Sequence, residues 1–149
     1  MRLSDIESVT VIERQCYPSP WPAQAFRSEI TKNQYADYIV AERERTIVGY
    51  AGMWLFLHAA HVTNIAVCPD DQGKKLGSQL LLALMERSVR QGLTVMTLEV
   101  RASNVLAQTF YRRYGFRDKG IRKGYYVDTG EDAIAMQCDD IRSVIEQKG

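Results

Sequence analysis

Between His61 and Val100 the chain passes from strand to helix to strand through short connections, and this run constrains the fold more than any other. His61 to Val67, H-V-T-N-I-A-V, is short, β-branched and apolar enough for a buried strand. Cys68 to Asp71 contains Pro69, which has no amide proton and stops strand pairing. Gln72 to Gly77 is a basic loop with two glycines. From Ser78 to about Gln91 the chain is leucine-rich with helical spacing, carrying Leu80, Leu81, Leu84, Met85 and Val89 on one face, and Gly92 stands where a C-cap glycine is expected. Leu93 to Val100, L-T-V-M-T-L-E-V, is the next strand. Strand-helix-strand of this length demands a parallel pair joined by a right-handed crossover. A strand that turns through such a loop into a helix aims backbone N–H groups at one spot with the helix dipole behind them. That is an anion cradle whose usual guest is phosphate, the alternative being an ordinary turn with capping polar residues.

Two nucleotide motifs are excluded here. A P-loop requires Lys-Ser/Thr after its last glycine, and Gly77 is followed by Ser78-Gln79. A Rossmann fingerprint requires G-x-G-x-x-G, which Gly73-x-x-x-Gly77 does not supply.

The other elements assemble around this unit. Ser4 to Cys16 reads as a helix with a Ser4–Glu7 capping box and the stripe Leu3, Ile6, Val9, Ile12. Tyr17 to Pro22 is a proline-broken loop, and Pro22 opens a second helix reaching about Thr31, with Phe26 and Ile30 inward. Tyr35 to Glu42 and Thr46 to Leu57 form a hairpin around the polar turn Glu42 to Arg45. Gly49 and Gly52 mark a bulge or close backbone approach in its second strand. A helix from Asn104 to Tyr114 is closed by Gly115, and Phe116 to Tyr126 with Glu131 to Cys138 makes a last hairpin around Asp128-Thr129-Gly130. Asp139 to Gly149 suits a short helix liable to fray. The order ααβββαβαββ, with hairpins on both sides of a parallel pair, predicts a mixed sheet.

Length and charge narrow the partners. A chain of 149 residues suits one domain with a proper core. With 46% hydrophobic and 25% charged residues and a net charge of +1, nothing points to a nucleic-acid or membrane surface. No apolar run approaches the roughly 20 residues of a membrane span, and the N-terminal M-R-L-S-D-I-E has acids where a signal peptide would be apolar. Cys16, Cys68 and Cys138 are isolated, so neither a zinc site nor a disulfide framework is expected, and a reducing cytoplasm is.

Several residues could carry chemistry. Glu99 is the carboxylate of an otherwise apolar strand, near its C-terminal end; it suits a general base whose pKa is raised by partial burial, or a structural acid paired with Arg101 or another arginine. Tyr111 lies mid-helix in F-Y-R-R-Y-G-F and can donate a proton or simply pack. Asn104 can cap its helix or bond a cofactor amide. His61 reads as an edge-of-strand residue rather than a catalyst, and His58 as a turn residue.

The segments P-W-P-A-Q-A-F, T-N-I-A-V-C-P, Q-G-K-K-L-G, L-E-V-R-A-S-N-V-L-A-Q-T-F-Y-R-R-Y-G-F, G-I-R-K-G-Y-Y and G-E-D-A-I-A-M, in this order, resemble the GNAT N-acetyltransferases from about Ile6 to Met136, in particular their bacterial ribosomal-protein-alanine (RimI-type) branch. The resemblance implies one α/β (α+β) domain over 1–149, with a mixed, mostly antiparallel central sheet, one parallel strand pair and flanking helices. It implies acetyl-CoA as co-substrate, no metal, and transfer to a protein α-amino group, the N-terminal alanine of a small-subunit ribosomal protein, by a cytoplasmic monomer or weak homodimer. Glu99 is then the base and Tyr111 the acid. Backbone groups of Ile65, Ala66 and Val67 hold the pantetheine arm, amides of Gln72, Gly73, Lys74, Lys75, Leu76, Gly77 and Ser78 hold the diphosphate, and Asn104 touches the cofactor. The acceptor is expected between the loop Tyr17 to Pro22 and the hairpin Arg122 to Glu131, with Trp21, Tyr125 and Tyr126 as contacts; the two tyrosines serve equally well as hairpin packing. The chain departs from the family pattern Q/R-x-x-G-x-G/A at Lys75, where a glycine is usual, and has His58-Ala59 where many relatives carry acids. Alternatives are a GNAT acting on a small amine or lysine side chain, and a non-catalytic acyl-CoA sensor or interaction module.

Overall fold

The computed structural model describes residues 1–73 and 75–149; Lys74, assigned above to the anion loop, lies outside them. The elements are α1 (Ile6–Cys16), α2 (Ala23–Thr31), β1 (Ala36–Arg43), β2 (Thr46–Leu55), β3 (Ala60–Val67), α3 (Leu76–Arg90), β4 (Met96–Arg101), α4 (Val105–Arg113), β5 (Arg117–Tyr126), β6 (Glu131–Cys138) and α5 (Ile141–Lys148). Strand order is β1-β2-β3-β4-β6-β5. β1–β2, β4–β6 and β5–β6 are antiparallel and β3–β4 is parallel, so the mixed, helix-flanked sheet follows the expected order. The chain divides into two compact units, Met1–Leu55 with Thr63–Leu84, and Phe56–Val62 with Met85–Gly149.

In the first unit, α1 lays Ile6, Val9 and Ile12 on Phe26, Tyr38, Tyr50 and Ala66. The Ser4–Glu7 capping box does not form. Leu3–Asp5 is instead a 3-10 turn in which the Arg2 amide donates to Asp5 Oδ2 at 2.7 Å. Its tighter winding rotates Leu3 off the stripe, and Leu3 is exposed. Pro22 stands at the start of α2 as expected, in the N-cap position, its carbonyl accepting from Ala25 N at 3.0 Å. Phe26, fully buried, meets Tyr50 and Tyr38 edge-on, with ring centroids 5.6 and 6.4 Å apart. The hairpin turn is the two residues Glu44-Arg45, both at positive φ, as the right-handed twist of paired strands favours. Ala41 pairs with Gly49 but Glu42 with Ile47, so the extra residue, Val48, lies in β2 beside Gly49, where a bulge is expected. Gly52 marks a close approach, because a Cβ there would collide with the Tyr38 ring.

In the second unit, Gly92 closes α3 at φ 82°, and the next amide, Leu93, donates to Ser88 O at 3.0 Å. Leu93 is thereby committed to the helix cap, so β4 starts at Met96, not Leu93. Met96, Leu98 and Val100 are buried, while Thr97, Glu99 and Arg101 alternate onto the other face. β5 is an exposed edge strand. α5 is capped by Asp140, which accepts from Ser143 N at 3.3 Å, and it buries Ile141 and Val144.

Candidate active site

In the second unit the parallel register sets Ala60 beside Met96 and His61 beside Thr97. Thr97 and Glu99 share a face of β4, and the imidazole of His61 reaches both. Its Nδ1 lies 2.7 Å from Thr97 Oγ1 and its Nε2 3.0 Å from Glu99 Oε2. Arg122 of β5 approaches the other oxygen, with Nε 3.5 Å from Glu99 Oε1, and Tyr125 adds a hydrogen bond. The Glu99 side chain keeps 11% of its surface. The His61 hydrogen bond is the largest influence on this carboxyl and lowers its pKa. Burial opposes it, the charges of His61 and Arg122 and the Tyr125 bond add to it, and the net position is below the ordinary glutamate value. The expected upward shift is therefore corrected: the partners outweigh desolvation. Arg101 is not the partner of Glu99. It pairs with Asp128 at 2.9 Å and Glu131 at 3.4 Å and lies over the Tyr126 ring, 4.0 Å from its centroid. His61, read from sequence as a strand-edge residue, is thus part of the carboxylate cluster. Its signal was only the -x- spacing of Thr97 and Glu99, which invites a bridging side chain from the neighbouring strand.

Tyr111 is buried on α4 against Phe116, with ring centroids 5.6 Å apart, and burial raises its phenol pKa above the ordinary tyrosine value. No buried polar side-chain atom among the described residues lacks a partner. Asn104 is the α4 cap, its Oδ1 accepting from Ala107 N at 3.1 Å. Tyr125 and Tyr126 meet edge to face, centroids 5.0 Å apart, with Tyr125 47% exposed.

In the first unit β3 continues into a 3-10 turn, Pro69–Asp71, pinned by an ion pair between Asp71 and Arg43. Gln72 turns its amide back to Val67 O at 3.1 Å, and Tyr17 donates to Ile65 O at 2.7 Å. Ala66, between them, is buried in the core. Gly73 and Lys75 stand at φ 83° and 65°, so the position occupied by Lys75 does require the left-handed region that glycine takes freely. α3 starts at Leu76, two residues before the expected Ser78. Leu76 and Gly77 therefore present first-turn amides at the positive end of a 15-residue helix, with Ser78 in the same turn. Trp21 is half-buried, packs on Phe26 at 5.4 Å, and donates its backbone amide to Glu13 Oε2 at 2.9 Å. Glu13 is 2% exposed and also accepts from the Tyr50 hydroxyl. This buried acid anchoring the Tyr17 to Pro22 loop was missed in the sequence, where it looks like a solvent-facing helix residue.

Among the described residues no group of three or more His, Cys, Asp or Glu side chains is placed to hold a metal ion, and no helix is long and apolar enough to cross a membrane.

The profile of the Acetyltransferase (GNAT) family matches residues 6–116. A Bacillus subtilis protein named, provisionally, a [ribosomal protein bS18]-alanine N-acetyltransferase is 41% identical over 136 residues, covering 91% of this chain and 90% of that one. The Escherichia coli [ribosomal protein bS18]-alanine N-acetyltransferase is 33% identical over 138 residues, covering 91% and 92%. The crystal structure of the ribosomal-protein-S18-alanine N-acetyltransferase from Escherichia coli superposes with a TM-score of 0.84 at 31% identity, over 93% of this chain and 89% of that one. The chain belongs to the GNAT acetyltransferase family, as an acetyl-CoA-dependent N-acetyltransferase closely related to the bacterial ribosomal-protein-alanine branch.

Proposed function

We propose that this protein transfers the acetyl group of acetyl-CoA to the N-terminal alanine of ribosomal protein bS18. The observation that carries this reading is the end-to-end likeness, in sequence and in fold, to enzymes named for that reaction. The whole chain, 1–149, serves as one acetyltransferase domain, working in the cytoplasm as a monomer or weak homodimer.

An α-amino group has a reference pKa near 8 (about 7.7–8.0), so most of it is protonated at neutral pH and must lose a proton before attack. Glu99, held ionised by His61 and Arg122, takes that proton directly or through a water. The nitrogen then bonds the acetyl carbonyl carbon, an amide of β3 near Val67 stabilises the oxyanion, and the carbon–sulfur bond breaks. Tyr111, whose burial keeps its proton in place, protonates the departing thiolate. The loop from Gln72 through Gly73, Lys75, Leu76 and Gly77 to Ser78 fits a diphosphate, since positive-φ residues followed by a helix N-terminus gather amides. Lys74 belongs to this role by sequence alone. Ile65, Ala66 and Val67 take the pantetheine arm, and Asn104 contacts the cofactor while capping α4. Trp21, Tyr125 and Tyr126 bind the acceptor peptide.

The test is mass spectrometry of bS18 from cells lacking this chain. Loss of N-terminal acetylation, restored by the wild-type gene but not by Glu99→Gln, is the expected result. Unchanged bS18 acetylation would move the acceptor to a lysine or small amine. Binding of acetyl-CoA without thiol release on any acceptor would make the chain a sensor.

A further inference from the structure

Thr97 and Glu99 project from one face of β4, and His61, opposite Thr97 in the parallel register, spans the two. Contacts at both ring nitrogens fix the plane of an imidazole and choose its tautomer. Nε2 faces Glu99 Oε2 and Nδ1 faces the Thr97 hydroxyl, so both ring nitrogens are engaged. Arg122 stands by the opposite oxygen at a longer 3.5 Å, and Tyr125 and Tyr126 are the other titratable groups facing this carboxylate. Both oxygens of Glu99 are therefore contacted, Oε2 by the shorter, more buried His61 contact and Oε1 by the longer, more exposed Arg122 one.

The geometry points to His61 as the positioning residue of the proton-transfer step: anchored on Thr97, it occupies one oxygen of Glu99 and so presents the other to the acceptor amine. The inference rests on the reading of Glu99 as proton acceptor. The proton leaves the ammonium and settles on Glu99 Oε1. Arg122, 59% exposed at its side chain, can yield to the incoming amine, whereas His61, at 23%, is held between two strands.

The test is steady-state acetylation of a peptide beginning with alanine, as a function of pH, with melting curves for each variant. His61→Ala is expected to lower kcat about ten- to a hundredfold, the scale of a misplaced reacting group, with the KM for acetyl-CoA unchanged. Removing the largest influence that lowers Glu99 should also move the low-pH limb of kcat upward. His61→Gln, whose amide can still donate, should recover most of kcat and bring the limb back. Should His61→Ala not fold, Thr97→Val carries the test: it keeps the imidazole, loses its anchor, and should lower kcat severalfold. A pH profile of His61→Ala superimposable on wild type, a His61→Gln variant as impaired as the alanine one, or a wild-type kcat for Thr97→Val overturns the inference. Glu99→Gln separates the two levels. Full activity there overturns the base assignment and this inference with it, whereas a dead Glu99→Gln beside an unaffected His61→Ala overturns the inference alone.

Discussion

Lys75 allows the diphosphate loop to be tested at a single backbone torsion. Its φ of 65° is left-handed, and its carbonyl accepts from Gln79 N at 3.1 Å, so the first turn of α3 holds the torsion in place. A residue with a Cβ loses about 1–2 kcal/mol there, while glycine gives back about 0.5–1 kcal/mol through the larger freedom of its unfolded chain. Lys75→Ala removes the ammonium and keeps the strain; Lys75→Gly removes both. The glycine variant should therefore be the more stable of the two by about 0.5–1 kcal/mol. At about 2–4 °C per kcal/mol for chains of this size, their melting points should differ by roughly 1–4 °C. Thermal and urea unfolding of the full chain measures this. Calorimetry with acetyl-CoA reads the second effect: if the torsion is retained on binding, both variants should bind equally, each weaker than wild type by the lost charge attraction of about 0.2–1 kcal/mol. An alanine variant as stable as the glycine one would refute the reasoning.

Glu99→Gln should cut acetylation about a hundredfold or more at neutral pH, the lower end of a general base's contribution, and less at high pH, where the amine is already neutral. Because the folded-state pKa of Glu99 is lowered, its ion pair stabilises the fold above the ordinary glutamate range and loses that effect as pH falls through the folded value, so the melting points of wild type and Glu99→Gln should converge in acid. Tyr111→Phe keeps the packing on Phe116 and should lower turnover with acetyl-CoA affinity and melting temperature nearly intact; lost affinity instead would favour a packing role. Tyr50→Phe takes one donor from the buried Glu13 carboxylate and should cost about 1–3 kcal/mol in urea unfolding; a neutral effect would mean that water replaces the phenol.

The order of elements is legible because local chemistry announces each boundary. Pro69 ends β3, Gly92 closes α3, and Asn104 caps α4 where its oxygen can reach Ala107. The errors arise where two local signals compete. Asp5 takes the N-terminal cap from Ser4 because its carboxylate meets the Arg2 amide first. Leu93 looks like a strand residue by its apolar character, but its amide belongs to the α3 cap. The site is harder to read because it depends on register. Nothing within H-V-T-N-I-A-V says which residue of another strand His61 will face; the Ala60–Met96 pairing decides that, and with it the sign of the Glu99 shift. Glu13 is hidden for a similar reason, since its burial is made acceptable by Tyr50 and the Trp21 amide, both distant in sequence. Tyr111 and Asn104 are visible as candidates, and the structure gives each a packing or capping duty beside the role proposed for it.

The central claim is acetyl transfer to an α-amino group, and its most direct measurement uses the purified chain, acetyl-CoA and a peptide with the bS18 N-terminal sequence, with the modified atom located by fragmentation mass spectrometry. One acetyl group on the alanine nitrogen, with thiol released in equal amount, is the predicted result. Acetylation confined to a lysine side chain, or no thiol released at all, would contradict it.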